Sequence, residues 1–332
     1  MTVLMDEVSS VTVPARSRRR WRAWAAVGVA VVFALGTTVR LGGLEAGALL
    51  VPLVSFTPYF ALAALVVLGL VIIARNRVAI AIMLAVCVSL AWCVIPRAVS
   101  GTVSATGRSF RVLTANLAGG RGDAGTIVDL ARRLNVDVLS LQELTWLERD
   151  RLEAAGLAKL LPYQVIEPEN WGADGSGVYA RLPLREQTGV FQPVGHHMPV
   201  VEVALPGGSA VQVVVVHPVA PVPSTVAEWE TGVATLPPAA PATGLPRVLA
   251  GDFNASLDHA VFRRLLATGY TDAAASTGQG LTPTWGMRKL PLPLVTLDHV
   301  LTDSRAGAAD VQVYDIPGSD HRAVFADLRV QP

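Results

Sequence analysis

Charged side chains vanish from three long stretches near the start of the chain and return in a regular rhythm after them. Between Arg22 and Arg40 lie 17 uncharged residues, between Glu45 and Arg75 there are 29, and between Arg77 and Arg97 there are 19. A helix needs roughly 17–25 apolar residues to cross a bilayer core. The pattern therefore predicts three transmembrane helices, near 22–40, 50–74 and 78–96. Pro52, Ser55, Thr57 and Pro58 are candidate breakers of the second helix, but a tilted stretch of this length tolerates them near one end. No span holds an ionisable residue, which favours anchoring over transport.

Beyond residue 109 apolar runs of strand length alternate with helical periodicity. Strands are expected at 110–116, 136–142, 176–180, 199–205, 210–217, 247–251, 296–301, 311–314 and 322–329. Ile127, Leu130, Ala131 and Leu134 share one face of a helix over 123–134. Pro206-Gly207-Gly208-Ser209 reads as a hairpin turn. Seven prolines crowd 218–246, leaving room for one short helix near 224–235. The alternation is that of a layered α/β domain over 110–332. A small polar linker, 98–109, joins it to the anchor at 21–97, which follows a basic tail, 1–20.

Composition fits a chain with two parts. It is 52% hydrophobic with mean hydropathy +0.46, too apolar for one ordinary soluble domain of 332 residues. The overall net charge of +1 hides an asymmetry. From Ala98 onward 18 basic residues, only Lys159 and Lys289 being lysines, face 23 acids, a net of −5. Such a surface is poorly suited to non-specific nucleic-acid binding. In the anchor, Arg16, Arg18, Arg19, Arg20, Arg22, Arg75 and Arg77 fall on one side and only Arg40 and Arg97 on the other. The excess of arginine marks the cytoplasmic side, so 98–332 is expected on the extracellular side of the cell membrane. A cleaved signal peptide at the first run is the alternative, and it would return the C-terminal part to the cytoplasm. Cys87 and Cys93 both lie in an apolar run, leaving the polar domain without a disulfide framework or thiolate metal site.

Unusual polar residues end or follow the apolar strands: Asn116 in TANL, Glu143 in LQEL, His217 in VVVVHP, Asp252 and Asn254 in GDFN, Asp298 in TLDHV, and Asp320 with His321 in SDHR. Singly each has an ordinary reading. Asp252 and Asn254 can cap a helix beginning after them, and Asp320 can be a turn residue. Jointly they lay out an active site on one edge of a sheet scaffold. Carboxylate and amide oxygens suit a hard cation such as Mg²⁺ or Mn²⁺, and a carboxylate–imidazole set suits proton transfer. The chemistry suggested is metal-assisted phosphoester hydrolysis. Nucleotide-driven and serine-hydrolase readings drop out, because no Walker loop, G-x-S-x-G elbow or Rossmann fingerprint is present.

TANL, LQE, the strand-ending His, GDFN, LDHV and SDH, in this order over roughly 108–330, resemble the endonuclease/exonuclease/phosphatase superfamily. The resemblance implies a four-layer sandwich, two packed mixed β-sheets flanked by helices, and a Mg²⁺-dependent phosphoesterase, here in a bacterial, membrane-anchored member. It implies that Glu143 is the principal metal ligand, with Asn116 beside it and Asp320 as a further metal-side carboxylate. Asp252 would orient or deprotonate the attacking water, and Asn254 would contact the transition state. His321, held by Asp298, resembles the catalytic histidine, while His217 stands where members contact the phosphate or protonate the leaving group. Where some members carry an acid two positions after the first Asn, this chain has Ala118, which thins the metal shell. His196 and His197 match no motif and read as loop residues. The expected substrate is a phosphodiester or phosphomonoester, with a lipid head group as one candidate. A nuclease and a catalytically inactive binding protein of the same fold are the alternatives.

Overall fold

The computed structural model describes residues 15–101, 107–241, 243–286 and 294–331. Residues 1–14 of the expected tail and 102–106 of the expected linker lie outside them.

Helix α1 (Ala15–Gly42) runs through the first apolar stretch. The second stretch forms two helices, α2 (Gly47–Val54) and α3 (Thr57–Ile73), bent by 78° at the break, and α4 (Arg77–Val94) follows. Two helices are long and apolar enough to cross a membrane, or three if the bent pair is one span. The breakers at 52–58 therefore divide the second stretch where a continuous tilted helix was expected. Phe33 stacks on Phe60 with ring centroids 4.6 Å apart, and Ala30, Ala64, Ala79 and Met83 are fully buried between α1, α3 and α4. Leu65, Val66, Ile73 and Trp92 remain exposed.

The rest of the chain is two six-stranded sheets packed face to face. The strands are β1 (Arg108–Asn116), β2 (Val138–Gln142), β3 (Tyr163–Glu167), β4 (Ser176–Ala180), β5 (Leu184–Glu186), β6 (Val200–Ala204), β7 (Ala210–Val216), β8 (Arg247–Asp252), β9 (Thr271–Asp272), β10 (Asp298–Thr302), β11 (Ala306–Asp315) and β12 (Arg322–Val330). The first sheet runs β11-β12-β1-β2-β4-β3 and the second β5-β6-β7-β8-β10-β9. Between them Phe110, Val112, Val138 and Val178 pack against Val201, Val213, Val215 and Val248. Helices α5 (Ala124–Arg133), α6 (Trp146–Ala154) and α7 (Leu157–Leu160) supply apolar side chains to the outer face of the first sheet. Helices α8 (Val226–Ala234) and α9 (Ala260–Leu266) do the same for the second, and α10 (Ala273–Ser276) packs beside β10 and β11. Central strands are thus covered on both faces. This is why β7 and β8 read as nearly continuous apolar runs.

The linker is shorter than expected, because Arg108 and Ser109 belong to β1 and Ser100 pairs with Thr277. The helical bundle also docks on the domain. Arg97 makes a bidentate pair with Asp258 at 2.6 and 2.7 Å, and Arg40 reaches the same carboxylate at 2.9 Å. The side chains of Arg40, Arg97 and Asp258 are 12%, 9% and 1% exposed. Val51 of α2 joins the core over the second sheet. His259 receives the Ser256 N–H at Nδ1 and donates from Nε2 to the Val51 carbonyl, 2.9 Å away. Glu45 accepts the Ala260 N–H at the start of α9. This corrects one reading of Asp252 and Asn254, which do not cap the following helix.

Candidate active site

Strand direction gathers the expected polar residues. In both parallel pairs, β1 with β2 and β7 with β8, the C-terminal ends emerge on one edge, with Asn116 opposite Gln142 and Val216 opposite Gly251. This edge delivers Asn116, Glu143, His217 and Asp252. Antiparallel β10 starts there, with Asp298 opposite Asp252, and His321 immediately precedes β12. Gly251 lets β7 and β8 close up, since a Cβ there would lie 2.0 Å from the Val216 carbonyl oxygen. Glu143, Asn254 and Ala118 take left-handed backbone (φ +55°, +48° and +51°), a strained choice for residues other than glycine that concentrates at functional sites.

The side chains form one connected cluster. Asn116 Nδ2 donates to Glu143 Oε1 at 3.1 Å and to Asp252 Oδ2 at 3.0 Å, while Asn116 Oδ1 accepts the Ala118 N–H. Asp252 Oδ1 accepts the Asn254 N–H at 2.8 Å, and Asn254 Nδ2 donates to the Pro218 carbonyl. His321 Nδ1 bonds Asp298 Oδ2 at 2.9 Å, and its Nε2 lies 3.6 Å from Asp252 Oδ2. His217 Nε2 lies 3.9 Å from both Glu143 Oε1 and Asp252 Oδ2. Ser319 bridges the Asn116 carbonyl and the His321 N–H.

Burial drives Asp252 upward, against the His321 charge and with help from Asp298, to about 7. Burial opposes the His321 cation, but Asp298 and Asp252 outweigh it and raise the imidazole to about 10. Burial holds His217 well below its usual value, with His196 and His321 adding to the effect. The two histidines are thus distinct at neutral pH, His321 a cation and His217 a neutral ring. Burial also raises Glu143, against its hydrogen bond from Asn116.

Glu143, Asp252, Asp298 and Asp320 bring four carboxylates to a cleft that Arg121 and His321 also line or border. That acid excess is a set of oxygen donors suited to a hard divalent cation, while Asn116 turns its amide nitrogen to Glu143 and Asp252 and its oxygen to the Ala118 N–H. Asp252, Asp298 and His321 form a compact group whose possible ligand atoms lie within 4.8 Å. Their spacing fits a hydrogen-bonded chain better than a coordination sphere, because the 2.9 Å contact commits His321 Nδ1 to Asp298. Glu143, 21% exposed, is the more open carboxylate.

The cleft has a volume of about 410 Å³. Among the lining residues that the motifs did not indicate are Arg121, Trp285 and His196. Arg121 lies in the loop after Asn116, near where some relatives carry an acid, and Trp285 pairs with His321 in an isolated bridge. His196 was read as a loop residue and is one, but its ring lies 4.4 Å from that of His217. His197 instead contacts Glu167 and Glu169.

Two packed mixed sheets between helical layers, with carboxylates and imidazoles converging on one edge, define a class of phosphoester-hydrolysing sandwich. Residues 113–321 match the Endonuclease/Exonuclease/phosphatase family, and the chain belongs to that family. Its members hydrolyse phosphoester bonds and typically depend on a divalent metal. Among solved structures, an endonuclease/exonuclease/phosphatase from Beutenbergia cavernae DSM 12333 is 20% identical, with TM-score 0.54, over 67% of this chain and 72% of that one. A humanized D. rerio TDP2 is 13% identical, with TM-score 0.51, over 67% and 99%. TDP2 from C. elegans, in truncated form, is 12% identical, with TM-score 0.51, over 68% and 100%. These likenesses concern the fold. None of the curated proteins matches the chain.

Proposed function

We propose that this protein is a membrane-anchored, divalent-metal-dependent phosphoesterase that attacks its substrate with an activated water. The observation that carries the reading is His321 held by Asp298 and facing Asp252, next to the Asn116–Glu143 pair. Glu143, Asn116 and Asp320 would hold Mg²⁺ or Mn²⁺, which supplies charge neutralisation at the phosphoryl oxygens. Asp252, fixed by the Asn254 N–H and by Asn116, accepts the proton of the attacking water. The His321 imidazolium, kept in orientation by Asp298, donates Nε2–H to a phosphoryl oxygen and stabilises the charge that builds in the transition state. His217, neutral and against Asp252 and Glu143, would donate an N–H hydrogen bond to the leaving-group oxygen. Asn254 contacts the same oxygens.

The arginines support the domain's outer-side placement. Asn76, in the α3–α4 turn between Arg75 and Arg77, donates to the Ala23 carbonyl, so those arginines and Arg22 share one end of the bundle. Arg40 and Arg97, at the opposite end, bind the domain. Trp21 and Trp24 lie exposed near the first end and Trp92 near the second, as interfacial aromatic belts require. A nuclease is the less favoured substrate reading, given the −5 net charge beyond Arg97.

The test uses the full chain in detergent with bis-p-nitrophenyl phosphate, plasmid DNA, RNA and phospholipids, each with Mg²⁺, Mn²⁺ or a chelator. Metal-dependent release of nitrophenolate supports the reading. No turnover of any substrate with either metal would overturn it and favour an inactive binding protein.

A further inference from the structure

The catalytic cleft is not built by the sandwich alone. Pro52, Ser55 and Phe56, from α2 and the break before α3, line it together with Val222, Trp285 and Leu297. A second cavity, of about 180 Å³, lies against the first turns of α3, between Tyr59, Leu62, Leu257 and Leu294. Ser55 and Val295 border both spaces, so the two adjoin at the break in the chain. The seam is held in place. Tyr59 donates to the Leu294 carbonyl at 2.8 Å, His259 holds the Val51 carbonyl, and Asp258 ties down Arg40 and Arg97. Leu49 and Leu53 beyond the seam, and Leu62 at its edge, are exposed apolar side chains, at 71%, 54% and 62%.

We propose that this mainly apolar path, which the Arg97–Asp258 pair also borders, receives the hydrocarbon chain of a membrane lipid whose phosphoester lies at Asp252 and His321. The inference rests on the phosphoesterase reading and names its substrate class. One end of the path is polar and carries the hydrolytic groups, and the other runs onto α3, which from Thr57 has 17 residues and a length of roughly 26 Å. A soluble phosphoester would leave the wall of Phe56, Val222 and Leu297 in contact with water. A lipid brings its own apolar surface to that wall and stays beside α3 in the bilayer. Phe56 and Leu62 are then specificity-determining residues supplied by the anchor.

The experiment follows hydrolysis of alkyl p-nitrophenyl phosphates, butyl to hexadecyl, by the full chain in mixed micelles with Mn²⁺. A buried methylene is worth about fourfold, so kcat/KM should rise at least tenfold along the series and then level off. Phe56→Asp and Leu62→Asp should flatten that rise, and Phe56→Ala should weaken it. The slope against chain length is the reading, so a variant that folds poorly loses activity across the series without losing slope. Partition into micelles affects wild type and variants alike. Equal slopes in all of them, or a flat wild-type series, would overturn the lipid assignment while leaving the phosphoesterase reading intact. No turnover at any length would instead remove the phosphoesterase reading itself.

Discussion

His321 lies between two carboxylates, Asp298 at Nδ1 and Asp252 beyond Nε2. If Asp298 acts through the imidazole, the pair behaves as a unit, and removing either should cost most of what removing both costs. His321→Ala is expected to lower turnover about 10²–10⁴-fold, Asp298→Asn comparably, and the double variant little further, with circular dichroism unchanged. Strictly multiplicative losses would separate the two residues. Glu143 calls for a different measurement. Glu143→Gln should raise the metal concentration needed for half-maximal activity, because a neutral amide binds a hard cation less well than a carboxylate. An unchanged metal response would remove Glu143 from the metal site. At this scale the sequence was informative wherever a polar residue ended an apolar strand, since strand direction alone delivers Asn116, His217 and Asp252 to one edge. It was silent on Arg121, Trp285 and His196, whose places in the cleft depend on loops positioned by the whole sandwich.

Among the elements, α2 differs most from its sequence expectation. Its apolar run is continuous with α3, and Pro52 sits inside it without ending it. The break falls among the candidate breakers, and partners more than 200 residues away hold the bent arrangement: His259 binds the Val51 carbonyl, and Val51 enters the core beneath α8 and α9. No local pattern encodes such a partner. The short strands β3, β5 and β9 were missed for a related reason, their pairing partners rather than their own alternation defining them. The α5 amphipathic face, by contrast, was legible from Ile127 to Ala131, as were the strands with continuous apolar cores. The Asp258 clasp gives an element-scale prediction. Burial alone would raise this carboxyl, but the Arg97 hydrogen bonds and the charges of Arg97 and Arg40 hold it below its usual value. A lowered folded value contributes stability that is present above the unfolded carboxylate value, about 3.9, and is lost as pH falls through the folded value. Hydrogen exchange in α9 should therefore stay slow until pH drops below about 4 and then quicken. Asp258→Ala, which strands two nearly buried guanidinium groups, should weaken docking by about 3–5 kcal/mol at neutral pH. Exchange in α9 that ignores both acid and this substitution would show that the clasp contributes nothing to docking.

For the whole molecule, the placement of arginines at opposite ends of the helical bundle gives the membrane orientation a direct test. An alkaline phosphatase fused after Pro332 should be active, and a green fluorescent protein fused there should stay dark. The reverse pattern would return the domain to the cytoplasm and revive a cleaved first helix. The clasp matters at this scale as well. Because Arg40 and Arg97 leave different helices and close on one carboxylate, the clasp restrains how far the sandwich can turn against the bundle. In the proposed orientation its cleft travels at a fixed height and bearing above the bilayer, and its search for substrate is two-dimensional. Encounter would then depend on surface density instead of bulk concentration, and turnover would slow when the same number of substrate molecules is diluted into more inert lipid at constant volume.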